Sequence, residues 1–340
     1  MPVISSRIDP SAADFAETRA ANLELLGQFE ELMAQSRAGG GEKYVKRHHD
    51  RGKLMVRERI ELLLDRDSPF FELSPLAAQG TQFPLSGSAV TGIGVVNGVE
   101  VAISGHDPTI RGGASNPISL SKTLRLQDIA TENRLPLVNF VESGGADLPS
   151  QADVWLPGGK WFRNLTEMSK AGIPTVALVF GNSTAGGAYV PGMCDYSVLV
   201  KDRAKVFLGG RPLVKMATGE EADEEELGGA DMHTRVSGVG DYFALDEHDA
   251  IRIGREIVGH LNWRKDGYGP TRHATEPLYD AEELLGIVQV DPKKPYDMRE
   301  VLARVVDGSE IDEYKAVSYT HLRAHETSRA ISYAVFCLKK

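Results

Sequence analysis

From Ser11 to about Ser36 the apolar residues Phe15, Leu23, Leu25, Leu26, Phe29, Leu32 and Met33 recur at helical spacing among charges. This predicts an amphipathic helical arm, ended by Gly39-Gly40-Gly41. A basic run follows from Lys43 to Arg59, with Leu54, Ile60 and the Leu62-Leu63-Leu64 cluster behind it; His48 and His49 read there as the solvated start of a basic helix rather than as ligands. Between Ala89 and His106 the period shortens to that of strands. Val90, Ile93, Val95 and Val96, then Asn97-Gly98, then Val99, Val101 and Ile103 predict a β-hairpin. Beyond it the two patterns alternate: a helix from about Pro117 to Asn133, a strand Pro136 to Val141, a helix Val154 to Ala171, a strand Pro174 to Phe180, a short helix from Ala185, a strand Tyr196 to Val200 and a long amphipathic helix from about Asp246 to Trp263. Such alternation predicts an α/β fold in connected layers. The acidic run Glu220 to Glu226 reads as a solvated helix face rather than a metal site.

Composition narrows the function classes. At 340 residues, 41% hydrophobic and 25% charged, the chain can bury a sizeable core, and one large domain with helical appendages is expected. No basic head with an apolar core opens the chain, and no stretch approaches the roughly 20 apolar residues of a membrane span, so a cytoplasmic protein is expected. Cys194 and Cys337 lie too far apart in sequence to suggest a disulfide framework or a zinc ribbon, and no metal is expected. The net charge of -10 argues against a general nucleic-acid binder and requires any anionic ligand to meet a local basic patch. The segment Ser318 to Lys340 loses the alternation, and Tyr319 to Thr327 looks like translated adaptor read-through. Its His321 and His325, with Cys337, are set aside.

Two glycine pairs each follow an apolar strand and precede a helix: Ser143-Gly144-Gly145-Ala146 and Ala185-Gly186-Gly187-Ala188. Such turns present backbone N–H groups, let a ligand oxygen approach the main chain, and place it at the positive end of a helix. A thioester enolate is an anion of this kind; the plainer reading is that the glycines only permit tight turns. Neither pair has the spacing of a phosphate-cradling P-loop, and Ser143 and Ser183 lack the nucleophile elbow. Arg111-Gly112-Gly113 adds a third amide-rich turn beside a charge. Lys122, Arg125, Lys160, Arg163, Lys201, Arg203 and Lys205 flank the turns as candidates for coenzyme A phosphates.

At these residues the sequence becomes recognisable. Lys53-Leu54, Arg57-Glu58-Arg59-Ile60, Thr109-Ile110-Arg111-Gly112-Gly113, the two glycine turns with Tyr189, Thr218-Gly219-Glu220 and Glu226-Leu227-Gly228-Gly229-Ala230 stand in the order seen in acyl-CoA carboxylase β subunits. The chain resembles that family from Lys43 to Lys315. Leu148 to Asp153 and Gly192 to Asp195 are closer to methylcrotonyl-CoA than to propionyl-CoA carboxylase β chains. Against this, Glu142 replaces the usual Asp, Trp155 to Trp161 departs from the methylcrotonyl pattern, and Gly240 breaks the usual Ser-Gly-Val-Thr run.

The resemblance implies a crotonase-like α/β fold of repeated ββα units. It implies a helical arm over 1–42, an N-terminal carboxyltransferase domain over 43–316, a non-native tail over 317–340, and a C-terminal carboxyltransferase half that this sequence lacks. The implied activity is transfer of a carboxyl group from carboxybiotin to an acyl-CoA enolate, with 3-methylcrotonyl-CoA favoured over propionyl- and acetyl-CoA. The enolate oxygen is then held by the backbone at Gly145-Ala146 and Gly186-Gly187, and coenzyme A by Arg111, Gly112, Gly113 and Gly144. Nothing resembles an Ala-Met-Lys-Met biotin site, so biotin is implied on a biotin carboxylase/biotin carrier α subunit, beside a homo-oligomer of β subunits, most often a hexamer. The chain alone is then expected to bind acyl-CoA weakly and not to complete carboxyl transfer. Three alternatives stay open: a crotonase-type hydratase or isomerase using Glu132 or Glu142, a biotin-dependent decarboxylase subunit, and a non-catalytic CoA-binding subunit.

Overall fold

The computed structural model describes residues 2–264 and 273–312; the tail expected over 317–340, with His321, His325 and Cys337, lies outside them. The chain divides into two compact units, one of Glu30–Gly267 and one gathering Met1–Phe29 with Tyr268–Lys340.

The larger unit is built on one eight-stranded sheet. Its strands are β1 (Phe71–Glu72), β2 (Ala89–Val96), β3 (Val99–His106), β4 (Leu137–Ser143), β5 (Thr175–Thr184), β6 (Tyr196–Val200), β7 (Lys205–Phe207) and β8 (Tyr242–Ala244). They lie in the order β1-β2-β3-β4-β5-β6-β8, with β7 paired to the end of β5. The β2–β3 hairpin closes at Asn97-Gly98 in the register Val96 opposite Val99; both turn residues have positive φ (48° and 75°), the conformation that matches strand twist. From β3 onward every pairing is parallel. All seven residues of β4 are buried, because a parallel sheet is covered on both faces.

Helices α1 (Ala13–Arg37), α2 (Glu42–His49), α3 (Val56–Leu63), α4 (Pro117–Asn133), α5 (Gln151–Lys170) and α6 (Tyr189–Met193) precede a longer helix at Glu247–His260. One face of the sheet, with Val138, Phe140, Val176, Leu178 and Phe180, packs on α3 through Val56, Ile60 and Leu63 and on Glu247–His260 through Ile251, Ile253 and Ile257. The other face meets α4 and α5 through Leu126, Ala130, Leu165 and Met168. Helix α4 starts where Pro117 predicts. Asn116 Oδ1 accepts the N–H groups of Ile118 and Ser119 (3.0 and 2.9 Å), and Ser119 Oγ accepts the Asn116 N–H in return. Strands β1, β7 and β8 were not foreseen: two or three residues carry no period.

In the smaller unit the described residues 2–29 and 273–312 fold together. Val3 bridges Glu310, and Ile4 N–H donates to Ser309 O at 2.9 Å. Glu300 accepts from Ser6 Oγ (2.6 Å) and pairs with the buried Arg304 (3.0 Å). The Phe15 ring lies where a Gly286 Cβ would stand, 2.3 Å away.

Candidate active site

Three glycine turns meet beyond the carboxyl ends of β3, β4 and β5, the edge at which open α/β sheets bind ligands. Gly144 N–H donates to Gly112 O at 3.0 Å, Ser115 N–H to Gly145 O at 2.8 Å, and Asp147 N–H to Ser115 O at 2.9 Å, which forms a parallel bridge centred on Ala146. A Cβ at Gly113 would stand 2.2 Å from Glu142 O, and one at Gly145 would stand 3.3 Å from Thr184 O. These contacts leave no room for larger residues. The conformation also demands glycine: Gly112, Gly113 and Gly145 have φ of 66°, 68° and 98°. Arg111 and Ala185 adopt 48° and 53° although they carry side chains, a local strain of the sort that collects at functional turns.

The serines that sequence reasoning dismissed as nucleophiles brace these turns. Ser143 and Ser183 face each other in the β4–β5 register, both buried. Ser143 Oγ accepts the Gly145 N–H at 3.1 Å, and Ser183 Oγ donates to Gly187 O at 2.9 Å. Within the expected backbone set, the Gly144 and Gly145 amides are therefore engaged internally. Ala146, flanked by the two residues that bond Ser115, directs its own N–H away from that segment. Gly186 and Gly187 lie in the first turn of the 3-10 helix Ala185–Ala188, where amides have no partner within the helix. Those three are the donors the turns can offer.

Behind the first turn lies a buried ionic cluster. Arg59, fully buried, makes a two-pronged bond to Glu247 (2.8 and 2.9 Å), lies 2.9 Å from Glu142 and stacks on Phe180 at 4.3 Å. Lys53 also pairs with Glu142, and Arg203 reaches Glu247 at 2.7 Å. Burial pushes the Glu142 carboxyl up, but the Arg59 and Lys53 charges outweigh it and hold the group below the usual range. The side chain points into structure. His48, expected in solvent, is buried instead, its Nε2 3.1 Å from Leu54 O, and burial pushes its pKa down. The reason is that Leu54 turns the chain under α2. His106 is likewise kept neutral by burial, with Nδ1 3.3 Å from Phe140 O.

Two cavities open on the first turn. One of about 350 Å³ is lined by Lys53, Glu142, Ser143, Gly144 and Asn182. The other, about 550 Å³, is lined by Arg47, His48, Arg51, Thr109, Arg111 and Gly112. Arg47 and Arg51 have no carboxylate partner among the described residues, whereas Arg111 Nη1 pairs with Asp147 at 3.0 Å. Sequence reasoning placed Arg51 in the basic run without assigning either arginine to the site; the run itself was the available signal. It also nominated Lys122, which the structure removes. That ammonium is buried against Ser86 Oγ and Ala89 O (both 2.7 Å), with its pKa lowered to about 8 by desolvation. Arg203, Lys205 and Lys160 are spent on Glu247, Glu225 and Asp128. Glu132 sits exposed at the end of α4, away from the turns.

Residues 47–319 match the sequence profile of the carboxyl transferase domain. A probable biotin-dependent acyl-coenzyme A carboxylase beta2 subunit of Mycobacterium tuberculosis is 61% identical over 313 residues, covering 92% of this chain and 59% of the relative. A probable mitochondrial methylcrotonoyl-CoA carboxylase beta chain of Drosophila melanogaster is 46% identical over 92% of this chain and 58% of its own length. Among solved structures, the beta subunit of Pseudomonas aeruginosa geranyl-CoA carboxylase superposes with a TM-score of 0.84 at 45% identity, over 92% of this chain and 59% of that one. The chain thus spans a little under three fifths of the length of these relatives. The fold is the crotonase-like α/β arrangement that the resemblance implies.

Proposed function

The chain belongs to the carboxyl transferase family, and on that premise we propose that it is the acyl-CoA-binding part of a biotin-dependent acyl-CoA carboxylase β subunit. The observation that carries this reading is the meeting of two glycine turns from adjacent parallel strands, with Gly145 packed on Thr184 and Ala185. Their amides at Ala146, Gly186 and Gly187 converge as fixed donors. A thioester carbonyl seated there acquires negative charge when the neighbouring carbon loses its proton. Preorganised N–H groups stabilise that charge by about 3 kcal/mol per donor without reorganising. Biotin, carried by a partner α subunit, supplies carbon dioxide and the base. The fit lies in the donor set: the turns offer amides, and Glu142, the acid nearest to them, is committed to Lys53 and Arg59. The same commitment disfavours a hydratase, which needs a carboxyl free to exchange protons with substrate.

Coenzyme A phosphates would lie in the basic cavity, against Arg47, Arg51 and the Arg111-Gly112-Gly113 turn. The acyl group we favour is 3-methylcrotonyl, with propionyl and acetyl as rivals. We assign the protein to the cytoplasm, as a homo-oligomer, a hexamer by analogy with the 12S transcarboxylase core, whose title reports hexamer assembly. No helix among the described residues is long and apolar enough to cross a membrane. The test is carboxylation of acetyl-, propionyl- and 3-methylcrotonyl-CoA with a biotin-bearing partner, ATP and bicarbonate. Carboxylation of one thioester supports the reading; saturable CoA binding without turnover of any would replace it with the non-catalytic one.

A further inference from the structure

A third cavity, of about 530 Å³, lies on the far side of the second glycine turn from the basic ones. It begins at Ala188, the last residue of the turn, and is walled by Tyr189, Met193, Phe207, Leu208, Leu227 and Val239. The wall is apolar and preformed. A Cβ at Gly228 would stand 2.3 Å from Val206 O, so the segment bearing Leu227 lies with its backbone against β7. The one titratable ring in the wall, His233, is locked. Its Nε2 is 2.7 Å from Val206 O, which can only accept, so that nitrogen carries the proton, and Nδ1 accepts from Ser237 Oγ at 2.7 Å. His233 opens a five-residue π-helical turn, His233–Ser237, a local irregularity that frequently marks functional sites. With both nitrogens spent, the ring is a wall rather than a reagent.

We propose that this cavity receives the hydrocarbon of the acyl group and selects thioesters with an extended apolar chain. This rests on the reading of the turns as the thioester site. A carbonyl held by the Gly186 and Gly187 amides has charged cavities toward Arg111 and Glu142 and an apolar one toward Ala188 and Tyr189. The coenzyme's phosphates suit the former and a hydrocarbon the latter. At ~30 Å³ for each water-sized group the cavity has room for roughly 18 such groups, several times what a five-carbon acyl group fills. An apolar pocket discriminates by about tenfold or more for each methylene it can fill or reject.

The test is equilibrium binding of CoA, acetyl-CoA and octanoyl-CoA to the native protein and to Leu227→Trp and Leu208→Trp, each of which adds bulk to the wall. Leu208 is 63% exposed, so its replacement leaves the core intact should Leu227→Trp fold poorly. The expected result is that octanoyl-CoA binds the native protein at least about tenfold more tightly than acetyl-CoA, and that this ratio collapses in the variants. Equal affinity for the two thioesters, or a ratio unchanged in both variants, overturns the pocket assignment while CoA binding leaves the glycine-turn reading intact. Loss of all binding, CoA included, in the native protein overturns both.

Discussion

A methyl group at Gly113 would lie 2.2 Å from the Glu142 carbonyl oxygen, in a residue whose φ of 68° already excludes most side chains. Gly113→Ala is therefore expected to destabilise the fold by roughly 2 kcal/mol or more, read as a lower denaturant midpoint. Glu142 answers a different question. Its removal leaves Lys53 unpaired and strips Arg59 of one of its two carboxylates, so Glu142→Ala should cost about 3 kcal/mol in the same measurement. The charge states also set a pH dependence. His48 and His106 have folded pKa values below the unfolded one, so their contribution is complete above about 6.5 and is lost as pH falls through the folded values. Glu142 and Glu300, held low by their partners, act in the same direction below about 4.5. Stability followed from pH 8 to pH 3 should fall gently below 6.5 and steeply below 4.5; a maximum near pH 4 would contradict this assignment. At this scale the glycine turns were legible because only glycine fits such backbones. The roles of Ser143, Ser183, His48 and Lys122 were not, because each depends on a neighbour from a distant segment.

Helix α5 shows how packing overrides local preference. Pro157, Gly158 and Gly159 interrupt it, yet it runs unbroken from Gln151 to Lys170 because Val154, Trp161, Leu165 and Met168 are buried along one side. Proline in a helix interior costs about 3 kcal/mol and each glycine about 1 kcal/mol relative to alanine. A Cβ at Gly158 or Gly159 would meet nothing within 4 Å. Gly158→Ala and Gly159→Ala are thus each expected to stabilise the protein by about 1 kcal/mol in chemical denaturation, and loss of stability in both would show that the glycines serve another contact. The hairpin at Asn97-Gly98, helix α4 and strand β6 fell where the pattern put them, because each carries a full period and its own start or stop signal. The long terminal helix ends at His260 rather than near Trp263, whose Nε1 instead donates to Arg134 O at 2.8 Å.

Across the whole molecule, the two compact units record something no local pattern announces: the first residues of the chain fold with those after 272. Long-range pairing such as Val3 with Glu310 leaves no periodic trace. The sheet order also follows from contacts that only the assembled fold supplies, and it is this order that sets the β4 and β5 turns side by side. The central claim is that their backbone amides, rather than any side chain, hold the developing enolate. Gly187→Pro tests it most directly, since proline is tolerated in a first helical turn but removes the N–H. The measurement is bicarbonate-carbon incorporation into an acyl-CoA, in a protein of the relatives' full length supplied with a biotin-bearing partner. The account predicts that Gly187→Pro lowers kcat by about 10²- to 10³-fold while the unfolding midpoint stays near that of the native protein. Undiminished kcat in a folded Gly187→Pro protein would contradict it.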